Sequence, residues 1–344
     1  MAESANHTVS VVIVAWNSRD ELAATIPAVL RELGEGDELV VVDNASSDRT
    51  ADAVAELAPD AVLLREGENL GFAAGVNRGA EAASGDLLVL LNPDAVPRPG
   101  FREGIVRPLT DGRGWAAWQG LVTAEDGAVV NTAGGVLHFT GVAWAGGAGD
   151  PVPAGLEPRE VPFLSGACLA VPRETWLRIG GFDEGYFLYH EDVEVSLRLR
   201  LEGGRVGLEP SAVVDHDYEF SATPAKYRHL ERNRWTTVLR TYPGPLLAAV
   251  MPAMVATELA LVVVATAGGW GRLKVAAWGD TARGLRGTLR ERRAIQARRR
   301  ITAGEFAAFL TPDLDSPYLG RAGRIAPLRW ALRAYWAVAR ALIS

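Results

Sequence analysis

One cysteine, Cys168, stands in a chain of 344 residues. A lone thiol excludes an intrachain disulfide and any zinc cluster built from cysteines. It fits a reducing compartment, with Cys168 itself expected as a small core residue. The start of the chain has no basic segment: Met-Ala-Glu-Ser-Ala-Asn-His leads directly into an apolar run. That pattern is unlike a secretory leader and puts the expected catalytic part on the cytoplasmic side. No G-x-G-x-x-G follows the first apolar run and no G-x-x-x-x-G-K-[ST] occurs anywhere. Dinucleotide-dehydrogenase and P-loop readings thereby lose their main support. Positive charge is scarce across 1–225, where 15 Lys and Arg face 35 Asp and Glu, whereas 226–344 carry 20 against 7. The two stretches are therefore −20 and +13. An acidic first part argues against nucleic acid as a partner, and a basic tail rich in Arg and Trp suits an anionic lipid leaflet better than DNA.

What is present is a strand-helix alternation. Val9–Ala15 is a β-branched run ending at Trp16-Asn17-Ser18, and Asp20–Leu33 has helical spacing, despite Pro27, up to Gly34. Glu38–Val42 is a second strand, closed by Asp43-Asn44-Ala45-Ser46-Ser47-Asp48, and a helix over Thr50–Leu57 stops before Pro59. Ala61–Leu64, Gly75–Ala83 and Asp86–Leu91 continue as strand, helix and strand, the last running into Asn92-Pro93-Asp94. The order predicts an α/β fold with a mostly parallel sheet covered on both faces, and a ligand beyond the carboxyl ends of its strands. Asp43 and Asp94 both fall at such ends, so one crevice is expected to hold both.

Gly112–Gly155, rich in Gly and Trp, is expected as irregular acceptor-side structure with a hairpin around Glu125-Asp126-Gly127. Order returns at Val161–Val171, followed by a helix from Arg173 and a turn at Gly180-Gly181-Phe182-Asp183-Glu184. A helix over Glu191–Leu201 and short strands Val206–Leu208 and Ala212–Val214 come next. After a charged helix, Tyr227–Thr241, the only charge between Arg240 and Arg272 is Glu258. That length suffices to span a bilayer, which needs roughly 20 apolar residues. Pro243, Pro245, Pro252, Glu258 and Gly268-Gly269 weaken a simple spanning helix, and basic residues at both flanks favour a re-entrant or in-plane helix pair. A buried hairpin or a dimer interface is the alternative. Arg290–Arg300 and Arg329–Ile343 are expected as basic amphipathic helices bearing Trp330, Tyr335 and Trp336.

Several ordered motifs carry a family resemblance. They are Val11–Asn17, Val41-Val42-Asp43-Asn44-Ala45-Ser46-Ser47-Asp48, Asn69–Asn77, Leu91-Asn92-Pro93-Asp94-Ala95, Ser165-Gly166-Ala167-Cys168, Gly180–Asp183, Tyr189-His190-Glu191-Asp192 and Glu231-Arg232-Asn233-Arg234. In this order the chain resembles the inverting GT-A glycosyltransferases of family 2, in their rhamnosyltransferase-like branch, over about 9–240. The resemblance implies a Rossmann-like GT-A catalytic domain over 1–240 and a helical, membrane-associated region over 241–344.

It also implies roles. Asp43 accepts the pyrimidine N3–H, or is an ordinary turn acid. Asn17, Asn69, Asn77 and Asn92 line the nucleotide site, though Asn beside Gly is also common loop chemistry. Asp94 stands where the family has D-x-D. With His216 it is expected to hold Mg²⁺ or Mn²⁺ against the donor diphosphate. Asn92 replaces the first acid of that pattern and offers at most a carbonyl oxygen or a turn before Pro93. In the run Phe187–Glu194, Asp192 is the expected general base and Glu191 its neighbour, while Glu194 is taken as a surface acid stabilised by the helix dipole. Arg232 and Arg234 are expected to reach phosphate, or to be solvated helix faces.

The expected activity is transfer of a sugar, plausibly L-rhamnose from dTDP-rhamnose, to a polyprenyl-diphosphate-linked or growing cell-envelope glycan at the cytoplasmic face of the membrane. Membrane lipids would be further partners. A UDP-hexosyl or galactofuranosyl transferase of the same fold and a catalytically silent membrane scaffold are the alternatives.

Overall fold

The structure, a computed structural model, describes residues 7–217, 224–315 and 325–343. The chain divides into two compact units: Met1–Gly135, Ala145–Val195 and Arg205–Glu219 form the first, and Val136–Trp144, Ser196–Gly204 and Phe220–Ser344 the second.

The first unit opens with β1 (Val9–Ala15), α1 (Arg19–Glu32), β2 (Glu38–Asp43), α2 (Thr50–Leu57), β3 (Val62–Arg65), α3 (Phe72–Ala82), β4 (Leu87–Leu91), β5 (Val96–Pro97) and α4 (Phe101–Val106). It continues with β6 (Ala117–Ala124) and β7 (Val129–Thr132). Next in the chain is a two-stranded ribbon of β8 (Gly135–Leu137) and β9 (Ala143–Ala145), most of which belongs to the second unit. Then follow β10 (Arg159–Glu160), β11 (Cys168–Pro172), α5 (Arg173–Ile179), α6 (Glu191–Leu201) and β12 (Val206–Asp215). The main path of the sheet runs β10-β12-β6-β11-β4-β1-β2-β3, with β5 beside β12 and β7 beside β6. Pairing is parallel among β1, β2, β3 and β4 and between β6 and β12, while β11 runs antiparallel to both β4 and β6. The sheet is thus mixed, with a parallel half that carries the expected alternation.

Every residue of β1 and β4 is buried, as an apolar run covered on both faces requires. Each fully buried Val, Leu or Ile side chain contributes roughly 1.5–3 kcal/mol. Register then brings the functional edge together. Ala15 pairs with Asp43 and Ile13 with Leu91, so the chain leaves β1, β2 and β4 at one edge of the sheet.

The stretch taken as irregular contains β6, a strand inside the sheet with seven of its eight residues buried. The hairpin at Glu125-Asp126-Gly127 is present, all three residues having positive φ, and it joins β6 to β7. The two short strands expected after Val206 are one, β12, with a register shift between Glu209 and Val213.

The second unit holds α7 (Pro224–Thr241), α8 (Gly244–Ala267), α9 (Gly271–Ala297), α10 (Ala303–Ala307) and α11 (Ala326–Ala341). Gly268 and Gly269 break α8 from α9. The basic stretch from Arg290 is the end of α9, which stops at Ala297, and not a helix of its own. A reciprocal cap starts α10: the Thr302 hydroxyl accepts the Glu305 N–H at 3.1 Å and the Glu305 carboxylate accepts the Thr302 N–H at 2.6 Å. The aromatic core of this unit stacks Phe139 on Trp336, centroids 4.9 Å apart, and sets Tyr242 edge-on to Phe306.

Candidate active site

The loops after β1 and β2 are stitched together by side chains. Asn17, with φ 52°, accepts the Ser47 N–H at 2.8 Å, and Asp48 accepts N–H groups from both Arg19 and Thr50, at 3.1 and 3.0 Å, where α1 and α2 begin. Asp43 is buried at the end of β2, one carboxylate oxygen accepting the Ser46 N–H at 3.1 Å. Its other oxygen accepts no hydrogen bond among the described residues. Asn44 donates to the Asn69 side chain at 3.1 Å and to the Gly71 carbonyl at 3.2 Å, and accepts the Leu70 N–H at 2.9 Å. The loop before α3 is thereby pinned to the end of β2. Gly71 has φ +85°, and a Cβ there would lie 2.6 Å from the Phe187 carbonyl oxygen, so the loop can approach the acidic run only with glycine at this point.

A second cluster forms at the end of β4. The antiparallel pairing of β5 with β12 sets Val96 opposite Asp215, and just beyond this pair Asp94, two residues before Val96, meets His216, the residue after Asp215. The Asp94 carboxylate and His216 Nε2 are 2.9 Å apart, the His buried and the Asp side chain 37 % exposed. The Asn92 amide lies 3.5 Å from the same ring nitrogen. Around them, Asp215 is clamped by Arg98 Nε at 2.6 Å and the Thr123 hydroxyl at 2.5 Å, and Asn131 donates to the His216 carbonyl at 2.9 Å. These bonds hold the last turn of β12 in place.

The third cluster is the start of α6. Phe187, Tyr189 and His190 all have positive φ, near 63–69°, a conformation that costs roughly 1–3 kcal/mol at a non-glycine residue. Three in four residues mark a strained lead-in to Glu191 and Asp192. Asp192 is half-buried; its oxygens accept the Gly166 N–H at 3.1 Å and the Val193 N–H at 2.7 Å. Gly166 in turn belongs to a loop that joins the other clusters. The Ala167 carbonyl accepts the Asn92 N–H at 3.1 Å, and the Gln119 side chain accepts the Ser165 N–H at 2.8 Å. One short loop therefore connects the end of β4 to the Asp192 carboxylate.

Burial raises the Asp192 carboxyl above its usual range, against the pull of the Gly166 and Val193 N–H donors. Burial, and then the charge of Asp192, push Glu191 well above its ordinary value. Glu191 is buried and its Oε2 has no hydrogen-bond partner among the described residues. Two backbone N–H donors favour the ionised form of Asp192, and no such donor reaches that oxygen of Glu191.

Comparisons with known proteins bear on the family and the fold. A family profile described as Glycosyl transferase family 2 matches residues 10–142, and one described as Glycosyl transferase family group 2 matches residues 87–278, over half of the chain. The chain belongs to glycosyltransferase family 2. It is an enzyme family that moves a sugar from a nucleotide donor. This glycosyltransferase is 30% identical over 224 residues to an N-acetylglucosaminyl-diphospho-decaprenol L-rhamnosyltransferase of Mycobacterium tuberculosis, across 58% of this chain and 73% of that one. It shares its fold with S. aureus TarS 1-349, at TM-score 0.55 and 13% identity over 96% of this chain and 92% of that one. It also shares it with mannosyltransferase PcManGT from Pyrobaculum calidifontis, solved with GDP-Man and Mn2+, at TM-score 0.52 and 20% identity over 97% and 85%. These likenesses establish the GT-A fold.

Within the glycosyltransferase, the clusters gather most of the expected site residues: Asn17, Asp43 and Asn69 along one loop pair, Asn92, Asp94 and His216 at the end of β4, and Glu191 with Asp192 at α6. Others have different work. The Asn77 amide accepts the Phe182 N–H at 3.0 Å and donates to the Phe182 carbonyl at 2.9 Å, clipping α3 to the turn before the acidic run. Arg234 is buried, its guanidinium committed to Glu231, Glu258 and the Thr140 carbonyl, which corrects the expectation of a phosphate contact. Arg232, next to it on α7, is half-buried and donates to the Asn233 side chain at 2.8 Å. Glu194 is fully buried and not a surface acid. Two positioning residues escaped notice in the sequence, Asn44 and Gln119. Asn44 was visible as the neighbour of Asp43, and Gln119 as the lone amide in the apolar run Ala116–Val122.

Proposed function

We propose that the protein is an inverting rhamnosyltransferase that takes L-rhamnose from dTDP-rhamnose to a hydroxyl of a polyprenyl-diphosphate-linked glycan at the cytoplasmic face of the membrane. The observation that carries the reading is the loop Ser165–Cys168, which ties the Asp192 carboxylate to the strand end bearing Asn92 and Asp94. A base and a diphosphate site on one loop suit in-line displacement. Asp192 takes the proton of the acceptor hydroxyl as its oxygen bonds to the anomeric carbon. The bond from that carbon to the diphosphate oxygen breaks on the opposite face, its electron pair leaving with dTDP. Glu191, holding its proton, keeps a second negative charge away from the base. Asp43 accepts N3–H of the base, and Asn17, Asn69 and Asn92 border the nucleotide.

Asp94 and His216 fit a divalent cation in donor chemistry. A carboxylate with a free oxygen and an imidazole nitrogen meet there, and the diphosphate oxygens complete the set. Mg²⁺ or Mn²⁺ bound there would neutralise charge on the departing diphosphate. The lipid-linked acceptor is supported by the relative from M. tuberculosis, named for a decaprenol-linked acceptor, and by the exposed apolar helix α8.

The test is a nucleotide-sugar screen with membrane extract as acceptor, with and without EDTA, on the wild type and Asp192→Asn. Transfer from dTDP-rhamnose that Asp192→Asn abolishes, with dTDP binding retained, is the expected result. Full turnover by the Asn variant would remove Asp192 from the role of base. Uracil and thymine both offer N3–H to Asp43, so a UDP-hexose donor is the second reading. Stronger inhibition by UDP than by dTDP would favour it.

A further inference from the structure

Helix α8 has 24 residues and is long and apolar enough to cross a membrane, yet it lies largely exposed. Its buried positions, Leu246, Val250, Met254, Glu258 and Ala265, form a single stripe. Glu258 on that stripe is bound by Arg234, by Lys274 at 2.7 Å and by the Trp278 indole N–H at 2.7 Å. The opposite face is bare hydrocarbon: Val255 is 50 % exposed, Leu259 66 % and Val263 69 %. On α9, Val275, Trp278, Leu285 and Leu289 are also exposed and recur at helical spacing. Beside this second stripe stand Arg272, Arg286 and Arg293, all exposed and in no salt bridge among the described residues. A cleft of about 570 Å³ lies between the two helices, lined by Val262 and Thr266 of α8 and by Val275, Trp278 and Arg272 of α9.

We propose that α8 and α9 dock this glycosyltransferase on an anionic lipid leaflet, with α8 lying in the plane of the interface and its Val255–Leu259–Val263 face in the acyl boundary. The proposal rests on the membrane-facing reading above and decides between its two forms. A spanning α8 would carry Glu258 into the hydrocarbon close to the helix midpoint and draw Arg234 and Lys274 in with it, a burial of charge that an in-plane helix avoids. Arg272, just after α8, is exposed and would sit at the headgroups of an in-plane helix. Charge selects lipid over a second copy of the chain. Residues 226–344 carry +13, and a like surface would set unpaired arginines against one another. An anionic leaflet neutralises them while it covers the apolar stripes.

Flotation of the full-length protein with vesicles of phosphatidylglycerol and phosphatidylcholine, and with phosphatidylcholine alone, tests the idea. The wild type should float with the anionic vesicles, more weakly with neutral ones and in high salt. Leu259→Asp with Val263→Asp should weaken binding by about tenfold or more, from the apolar burial it removes, with an unchanged melting temperature. The triple variant Arg272→Gln, Arg286→Gln, Arg293→Gln should lose the preference for anionic lipid. Unaltered flotation of the double Asp variant would overturn the proposal, as would a concentration-dependent dimer that the same variant abolishes. Orientation is read with a membrane-impermeant maleimide, since Cys168 is buried and leaves a silent background. Pro245→Cys and Arg272→Cys should both label in inverted membrane vesicles and neither in intact cells; labelling from opposite sides would mean that α8 spans. Asp192→Asn should float like the wild type, so retained transfer together with retained flotation indicts only the catalytic reading. Transfer to a detergent-solubilised acceptor without vesicle binding indicts only the docking.

Discussion

Glu258→Gln is the sharpest probe of how the second unit tolerates a charge in its apolar helix. Glu231, Glu258, Arg234 and Lys274 form a neutral set whose side chains are 12%, 9%, 4% and 1% exposed. At the 2.7 Å between Lys274 and Glu258, an effective dielectric of about 20 gives an attraction of roughly 6 kcal/mol for that contact alone. Desolvation offsets much of this in the wild type, but the variant keeps the cost and loses the attraction. Two buried cations would then face one anion, and removing one partner of such a set costs about 3–5 kcal/mol.

Burial alone would raise the Glu258 carboxyl. Arg234, Lys274 and Trp278 together hold it below its ordinary value, so the stability it contributes is present above about 4.5 and is lost as pH falls through the lower folded value. Urea unfolding followed by tryptophan fluorescence, at neutral pH and at pH about 4, measures both effects. A control, Glu258→Leu with Lys274→Met, removes opposite charges together and should cost less than the single variant. A loss below about 1 kcal/mol for Glu258→Gln, the scale of an exposed pair, would refute the account of a desolvated cluster.

Two further outcomes follow from the buried titratable groups. Glu191→Gln should retain transfer within a few-fold and leave the acid limb of the pH–rate profile in place, because glutamine mimics the protonated side chain; a limb that moves to lower pH would show that Glu191 is ionised in the wild type. Since a raised carboxyl keeps a proton that the unfolded chain releases, wild-type stability should fall as pH rises above about 4.5, and the glutamine variant should lack that slope. His138 is fully buried, with Nδ1 2.7 Å from the Thr140 hydroxyl and Nε2 3.2 Å from the Pro312 carbonyl, and burial lowers its pKa from 6.5 to about 4 despite Asp313. The unfolded chain binds the proton first, so stability should drop by about 3 kcal/mol between pH 6.5 and 4; urea midpoints at the two ends of this window that match those of His138→Gln would reject this.

The parallel half of the sheet was legible because each of its strands is dominated by a short apolar run and helical spacing separates them. β1 spans the same residues in sequence and structure, as does α2. β6 escaped because Gln119, Gly120 and Thr123 interrupt its apolar character, and all three are explained only by distant neighbours. Gln119 holds Ser165, a Cβ on Gly120 would meet the Ala212 carbonyl at 2.6 Å, and Thr123 clamps Asp215. β12 looked like two strands because Glu209-Pro210-Ser211 has the composition of a turn. It is an irregularity in one strand, where Glu209 binds Arg113 at 2.5 Å and caps Ser211 at 2.9 Å.

The site divides in the same way. Asp43, Asp94 and Asp192 were visible because they end strands or begin a helix, positions set by local pattern. The tasks of Asn77 and Arg234 were not, because they depend on partners far away in sequence: Asn77 reaches Phe182, and Arg234, beyond its neighbour Glu231, reaches Glu258. A polar residue inside an apolar run is therefore ambiguous until its partner is known. Glu258 is the clearest instance, since the same carboxylate that argued against a spanning helix also marks the face by which α8 is held to its own unit.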